Sequence, residues 1–209
     1  MNATDELIRL DPALKVVEYA GPMWKSFDQT DVDIVGVPSG IDIEEGEFLY
    51  GLVRIMKPHF MLETGTNTAI SARYAGLAMK ANGFGLLHTL EHDFTVFQVA
   101  SQKIHQSGLQ EHVACFNCKV EDYVVDDSQK IDMLWLDTEP LERYAELIRF
   151  FPDVEDNGII CVHDLEWPDV TGVFGKVPEE LQDLMLDGKL RVMTFPTYRN
   201  LTVFQKVTD

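Results

Sequence analysis

A short segment at residues 61–71 has the residue types of a ligand-binding turn. It reads Met-Leu-Glu-Thr-Gly-Thr-Asn-Thr-Ala-Ile-Ser, an apolar run that passes through Gly65 into the expected start of a helix. Glycine lets the backbone approach a ligand where a Cβ would collide, and the first turn of a helix has unpaired N–H groups. Glu63 adds a carboxylate that accepts hydrogen bonds from a ligand or from the turn. The segment therefore predicts a cofactor site.

Acidic residues also follow the later apolar runs. Glu91 ends the first apolar run after the turn. Glu121 and Asp122 follow the next run, at 113–117, and Asp137 and Asp164 follow two runs farther along the chain. A carboxylate at the position of Glu91 suits the two hydroxyls of a ribose. Gly65 is the only glycine of the turn, so the G-x-G-x-x-G pattern of dinucleotide sites is absent. This absence argues against a dinucleotide cofactor, whose pyrophosphate needs the second glycine for close approach.

Alternating short apolar runs and amphipathic segments position these residues. We expect an α/β fold of the doubly wound, Rossmann-like type, with helices on both faces of a mostly parallel seven-stranded sheet. The link 196–200 has a hairpin-like composition, which predicts an antiparallel C-terminal strand. The predicted strands are 59–63, 85–90, 113–117, 131–136, 158–162, 190–195 and 201–206. The predicted helices are 44–57, 68–81, 95–107, 120–125, 141–151 and 179–187.

Length and charge limit the organisation and the partners. The 209 residues suit one domain, expected at 44–209, preceded by an N-terminal arm or cap at 1–43. Aromatic residues of the arm either close over an aromatic substrate or pack against the domain or a twofold mate, so a homodimer is one expectation; they are Tyr19, Trp24 and Phe27. The net charge of −18 repels phosphate backbones and anionic membranes, so we expect neither nucleic acid nor membrane as a partner.

The cysteines and the apolar runs predict a cytoplasmic protein. We find no signal-peptide pattern and no apolar run of the roughly 18 residues that a membrane span requires. Cys115, Cys118 and Cys161 are an odd number without a disulfide framework, as expected in a reducing compartment. Cys115 and Cys118 form a C-x-x-C pair in a strand-like segment, and we expect buried thiols there rather than a zinc or redox site.

At this point a family resemblance becomes specific. Residues 63–71 resemble the E-x-G-x-x-x-G-x-S signature of class I S-adenosylmethionine-dependent methyltransferases. From about Phe48 to the C-terminus the chain is similar to their small-molecule O-methyltransferase branch, which includes catechol, caffeoyl-CoA and macrocin O-methyltransferases. The matching segments are Thr-Leu-Glu-His-Asp at 89–93, Ser-Gly-Leu at 107–109, Leu-Asp at 136–137 and Gly-Ile-Ile-Cys-Val-His-Asp at 158–164.

The resemblance implies a role for each matching position. S-adenosylmethionine would be the methyl donor and a hydroxylated small molecule the acceptor. Asp137 would face the sulfonium and the substrate, and Asp164 would lie beside the acceptor. The positions implied to line the cofactor are Glu63, Gly65, Thr66, Asn67 and Ser71 at the methionine end, Glu91 and His92 at the ribose, and Glu121 and Asp122 at the adenine.

The chain departs from the family pattern on the acceptor side. Pro140 stands where many metal-dependent members have lysine, and Leu165 stands where they have asparagine; Ala69 replaces the second glycine of the signature. A Mg²⁺ ion held by Asp137 and Asp164, completed by Glu139 or His163, would polarise the acceptor hydroxyl. Without a metal, His163 is the expected proton acceptor, because its ordinary pKa lies near neutrality.

Other interpretations stay open at this point. Asp137 and Asp164 are also suited to cap the helices that follow them, and His163 to a structural role. A cofactor-binding protein that has lost catalysis fits Pro140 and Leu165. A nucleotide-dependent α/β enzyme of other chemistry, such as a short oxidoreductase, fits the fold class.

Overall fold

The computed structural model of the protein describes residues 41–170, 172–173, 175–197 and 200–208. Residues 1–40 of the predicted arm, with the three aromatic residues named above, lie outside this part of the chain. The arm and the domain boundary at residue 44 therefore stay predictions. No helix in the described residues has both the length and the apolar composition required to cross a bilayer.

The described residues form one seven-stranded sheet. Five parallel strands are followed by two that pair antiparallel, so the predicted antiparallel C-terminal strand is confirmed. The spatial order is β3-β2-β1-β4-β5-β7-β6. The strands are β1 (Phe60–Thr64), β2 (Leu86–Glu91), β3 (Val113–Asn117), β4 (Ile131–Leu136), β5 (Val154–Val162), β6 (Leu190–Phe195) and β7 (Leu201–Lys206).

In the described residues one helix precedes β1 and four helices connect strands, as the alternating pattern predicts, whereas the helix predicted at 120–125 is a short 3-10 turn, Val120–Asp122. These five helices are α1 (Ile43–Met56), α2 (Ile70–Asn82), α3 (Phe94–Gln106), α4 (Arg143–Phe150) and α5 (Glu179–Leu186). The α1 helix ends at Met56, and the next residue, Lys57, is left-handed with φ 52° and precedes Pro58. The α3 helix begins at Asp93, whose carboxylate accepts from the backbone N–H groups of Thr95 and Val96.

The core lies against both faces of the central strands. All five residues of β1 are buried, and the last four residues of β4 beside it are buried as well. A strand covered on both faces reads as a continuous apolar run, which is why both were recognisable in the sequence. The largest fully buried side chains include Trp135, Phe60, Phe150 and Phe204. This rigid centre holds the carboxyl ends of β1 and β4 side by side.

Most boundaries lie within one or two residues of prediction, and two of the differences have clear local reasons. The β5 strand begins at Val154, four residues before the predicted start. Residues 155–157 are exposed and form an irregularity opposite Ile131 and Met133, so the first part of the strand lacks the apolar run by which strands were predicted. The α2 helix begins at Ile70 because Ala69 is left-handed, with φ 63°. This backbone costs an alanine about 1–2 kcal/mol and suits glycine, the residue of the family signature at this position.

Candidate active site

The carboxyl ends of four parallel strands form one edge that carries the predicted site residues. The registers pair Glu63 of β1 with Thr89 of β2 on one side and with Trp135 of β4 on the other. The chain continues directly from β4 to Asp137 and from β5 to His163 and Asp164. Ligands of doubly wound folds bind at such an edge, where the strand order reverses.

The turn after β1 is held tightly against both neighbouring strands. The backbone N–H groups of Gly65 and Thr66 donate to the Leu90 carbonyl of β2 at 3.1 and 3.0 Å. Gly65 has φ +81°, and a Cβ at this position would lie 2.3 Å from the carbonyl oxygen of Asp137. Glycine is therefore required here for close backbone packing as well as for the turn.

Glu91 fastens this turn to the end of β2. One carboxylate oxygen accepts from the Asn67 backbone N–H at 3.0 Å, and the other accepts from the Asp93 N–H at 2.9 Å. The residue is only 7% exposed. Each carboxylate oxygen has two lone pairs, so the side chain keeps the capacity to accept hydroxyl donors from a ligand.

Glu63 is a fully buried carboxyl group with spare hydrogen-bonding capacity. Its Oε2 accepts from the Thr89 hydroxyl at 2.5 Å, while its Oε1 and the buried Thr68 Oγ1 have no hydrogen-bond partner among the described residues. Burial raises the pKa of Glu63 to about 8, against the lowering effects of the nearby Ser71 and Thr89 hydroxyls. Unsatisfied buried polar atoms are costly, so this pair points to a polar ligand group.

The raised pKa of Glu63 predicts a pH-dependent stability. The folded state holds a proton at Glu63 up to about pH 8, whereas the unfolded chain releases it near pH 4.5. The free energy of unfolding should therefore fall as pH rises across this window. Glu63→Gln imitates the protonated group. In urea titrations, the free energy of unfolding of the variant minus that of the wild type should therefore increase as pH rises. Parallel curves for the two proteins would contradict the buried, protonated state.

The residues predicted at the adenine lie on the surface. Glu121 and Asp122 are exposed in a short 3-10 turn, Val120–Asp122, which follows β3. The Lys119 ammonium lies 3.5 Å from the Glu121 carboxylate. His92 is also exposed and lies 3.5 Å from Glu91. Their roles in cofactor binding stay predictions.

His163 links two carboxylates at the other half of the edge. Its Nδ1 lies 2.8 Å from Asp137 Oδ1, and its Nε2 lies 2.8 Å from Glu45 Oε2, on the first turn of α1. The Thr197 hydroxyl donates to the second Glu45 oxygen at 2.6 Å. Asp164 is close, with Oδ2 3.4 Å from His163 Nδ1. The histidine thus connects α1 to the ends of β4 and β5.

The surroundings of His163 keep its imidazole protonated. Burial alone would lower its pKa, but the charge and hydrogen bond of Asp137, the hydrogen bond to Glu45 and the charge of Asp164 raise the pKa to about 10. Both ring nitrogens therefore act as donors at neutral pH, and the residue is 1% exposed. The expectation that His163 accepts the substrate proton does not fit this arrangement, because a general base needs a free lone pair within reach of the substrate.

Arg143 brings a second cation to the two aspartates. It is the first residue of α4 and only 4% exposed. Its Nη2 lies 3.2 Å from Asp137 Oδ1 and 3.7 Å from Asp164 Oδ2. Its Nε donates to the Thr138 carbonyl at 2.8 Å, and its Nη1 donates to the His163 carbonyl. The guanidinium is therefore fixed between the ends of β4 and β5.

The predicted metal ligands are only partly brought together. Atoms of Asp137, His163 and Asp164 lie within 4.8 Å of one another, whereas Glu139 is exposed and lies outside this group. A metal-binding histidine needs one unprotonated nitrogen, but both nitrogens of His163 face carboxylates. The Arg143 guanidinium already forms ion pairs with both aspartates. These donors do not fit a divalent ion.

The cysteines are free thiols. Cys161 is buried, and burial raises its pKa to about 12. Cys115 and Cys118 are half-buried rather than buried as predicted, because β3 is the edge strand of the sheet. Burial raises the pKa of Cys115 to about 11, so its thiolate is scarce at neutral pH.

Comparisons with known proteins agree with this architecture. Residues 62–165 match a family model described as a methyltransferase domain. No curated protein matches the chain by sequence.

Solved structures with the same fold include three transferases. The O-methyltransferase TomG from Streptomyces achromogenes, involved in tomaymycin synthesis and bound to SAM, has a TM-score of 0.75 at 15% identity, with 100% of both chains covered. The O-methyltransferase from Bacillus cereus in complex with SAH has a TM-score of 0.65 at 14% identity, covering 80% of this chain and 82% of that one. The SAH-bound Podospora anserina methyltransferase PaMTH1 has a TM-score of 0.67 at 16% identity, covering 81% and 80%. With the turn around Gly65, these findings confirm that residues 62–165 form a methyltransferase domain and that the chain has the fold of the class I S-adenosylmethionine-dependent enzymes.

Proposed function

We propose that the protein is an O-methyltransferase that transfers a methyl group from S-adenosylmethionine to a hydroxyl of a small molecule. The observation that carries the proposal is the meeting of four acidic strand ends at one edge of the sheet: Glu63 and Glu91 in β1 and β2, and Asp137 and Asp164 after β4 and β5. Two of the structural neighbours are O-methyltransferases, and one of them acts in the synthesis of a natural product. These neighbours support the choice of a hydroxyl acceptor.

The donor half would hold the cofactor between the glycine turn and β2. We assign the methionine end to the turn, where the buried Oε1 of Glu63 and Oγ1 of Thr68 lack partners among the described residues and can accept from an ammonium group or donate to a carboxylate. The other turn contacts would be Thr66, Asn67 and Ser71. Glu91 would accept from the ribose hydroxyls, with His92, Glu121 and Asp122 around the adenine.

The acceptor half would align a hydroxyl behind the methyl group. In this displacement the bond from the acceptor oxygen to the methyl carbon forms as the carbon–sulfur bond breaks, and its electron pair returns to sulfur. Since the donor is already activated, alignment supplies much of the rate. We assign acceptance of the hydroxyl proton to Asp164, the more exposed of the two aspartates at 28% against 15% for Asp137. His163 and Arg143 would hold both carboxylates in place.

The proposal is tested by following the methyl group. Purified protein is incubated with S-adenosylmethionine carrying a labelled methyl group and with a panel of phenols, catechols, sugars and other hydroxylated compounds. We expect labelled methyl ethers and stoichiometric S-adenosylhomocysteine. Cofactor binding without any turnover across the panel would favour a binding protein that has lost catalysis. Thermal protection by NAD(H) but not by S-adenosylhomocysteine would favour an oxidoreductase, and either result would overturn the proposal.

Glu91→Gln should weaken cofactor binding, and because both carboxylate oxygens accept backbone N–H groups, the amide also leaves one of these N–H groups without its acceptor. The substitution preserves shape but removes the charge that strengthens each hydrogen bond to ribose. Bonds to charged groups contribute about 1.5–3 kcal/mol, so the Kd for S-adenosylhomocysteine should rise roughly tenfold to a hundredfold. Isothermal titration calorimetry measures it. Glu111→Gln, at an exposed glutamate just before the opposite end of β3, is the control and should leave the Kd unchanged. Equal Kd values for the wild type and both variants would show that Glu91 does not bind the cofactor.

We also propose a cytoplasmic location, which is supported by the three free thiols. The homodimer stays a prediction, and size-exclusion chromatography with light scattering measures it.

A further inference from the structure

The acceptor half already contains a fixed cation at the position where a metal would be expected. The Nη2 atom of Arg143 lies 3.2 Å from Asp137 Oδ1 and 3.7 Å from Asp164 Oδ2. After β4 the chain turns back toward the two aspartates by a tight turn, in which the Glu142 N–H donates to the Glu139 carbonyl at 2.9 Å. The turn places the first residue of α4 directly over the end of β4.

The guanidinium is held there by the backbone as well as by charge. Its Nε donates to the Thr138 carbonyl at 2.8 Å, its Nη1 donates to the His163 carbonyl, and the residue is 4% exposed. Arginine stays protonated at every pH a protein tolerates, so it cannot make room for a second cation by losing its charge. It would have to leave a buried position and abandon both carbonyls.

Among the described residues, the charges around this point are nearly balanced without any ion. Three carboxylates, of Glu45, Asp137 and Asp164, face two cations, His163 and Arg143, within 3.7 Å. A divalent ion bound to the aspartates would lie next to both cations in a poorly solvated site, where repulsion between like charges is strong. Mg²⁺ also requires near-ideal octahedral coordination at about 2.0–2.1 Å, which the guanidinium N–H groups obstruct.

We propose that Arg143 takes the place of a divalent metal in this protein, so that the Asp137 and Asp164 site binds no metal ion while Arg143 is present. Arg143 is thus a positioning residue, which neutralises and orients the aspartates that would meet the acceptor. The proposal concerns the acceptor side of the proposed function, but its test measures metal binding and requires no methyl transfer.

The test is a comparison of Mn²⁺ binding in four proteins stripped with chelator. Electron paramagnetic resonance of free Mn²⁺, with S-adenosylhomocysteine present and absent, should show no site on the wild type. Arg143→Ala, which opens the space and removes the charge, should gain one equivalent of bound Mn²⁺, because a like charge beside the ion has been removed. Arg143→Lys keeps the charge and should stay without a site.

The double variant Arg143→Ala, Asp164→Asn is the matched control and should lose the gained site. A purely structural role for Arg143 would not create metal affinity when the residue is removed. One equivalent of Mn²⁺ on the wild type, displaced by Mg²⁺ and lost in Asp137→Asn, would overturn the proposal. So would a folded Arg143→Ala protein, as judged by circular dichroism, that gains no site. If Arg143→Ala does not fold, Arg143→Gln, which keeps an amide donor for the Thr138 carbonyl, replaces it with the same expected gain.

Discussion

Gly65→Ala should both destabilise the protein and abolish cofactor binding. The new Cβ would lie 2.3 Å from the Asp137 carbonyl oxygen and 3.0 Å from the Thr138 nitrogen, so backbone must shift. Forced overpacking costs about 1–3 kcal/mol. The left-handed backbone, φ +81°, adds about 1–2 kcal/mol for any residue with a Cβ. A shift of Asp137 would also disturb its pairing with His163 and Arg143.

Gly83→Ala is a matched control for this prediction. Gly83 has the same φ of +81°, but a Cβ there meets nothing within 4 Å. Both variants place a Cβ on a left-handed backbone and lose the same stability for that reason. The difference between their free energies of unfolding in urea therefore measures the cost of the collision with Asp137. Gly83→Ala should also leave the Kd for S-adenosylhomocysteine unchanged. Equal losses of stability in the two variants would show that the turn after β1 accommodates a Cβ without moving β4.

His163→Leu should be the most destabilising substitution in the acceptor half. It removes the group that faces both Glu45 and Asp137 at 2.8 Å and leaves these carboxylates without their shared cation. Removing one partner of a buried ion pair costs about 3–5 kcal/mol. By contrast, His105→Leu changes an exposed histidine of α3 and should cost less than about 0.5 kcal/mol.

The pH dependence distinguishes this structural role from that of a general base. The folded pKa of His163 is raised from 6.5 to about 10, so its contribution to stability is complete below pH 6.5 and is lost as pH rises through about 10. Wild-type stability should therefore decline above neutrality more steeply than that of His163→Leu in urea titrations. A pH–rate profile with an inflection near 6.5 that disappears in a folded His163→Gln variant would instead restore His163 as the proton acceptor.

Local patterns were sufficient to predict the sheet and the strand ends on which the proposed donor half is built. The apolar runs ending at Glu63, Glu91 and Asp137 correspond to β1, β2 and β4, because strands covered on both faces leave an unbroken apolar signature. The turn was recognisable from Gly65 and its flanking residues. Parallel pairing then places the strand ends together without further information from the sequence.

The acceptor half depends on contacts between distant residues, which no local pattern carries. Glu45 meets His163 across 118 positions, and in the sequence it is visible only as an acidic residue in the first turn of a helix. Arg143 reaches the two aspartates only because the chain turns back between Glu139 and Glu142, and no local sequence pattern predicts that turn. The interpretation of His163 as a base stays a prediction that its surroundings do not favour, since its ordinary pKa says nothing about the carboxylates that enclose it.

The position of β1 between β2 and β4 separates the two halves of the edge. Glu91 and Asp164 follow strands that are three neighbours apart, a distance of about 14 Å at about 4.8 Å per strand. Substitutions farther apart than about 7–10 Å, with no shared partner, usually contribute independently to free energy. The loops after β4 and β5 can therefore diversify to accept new substrates in evolution while the methyl donor and its affinity stay the same.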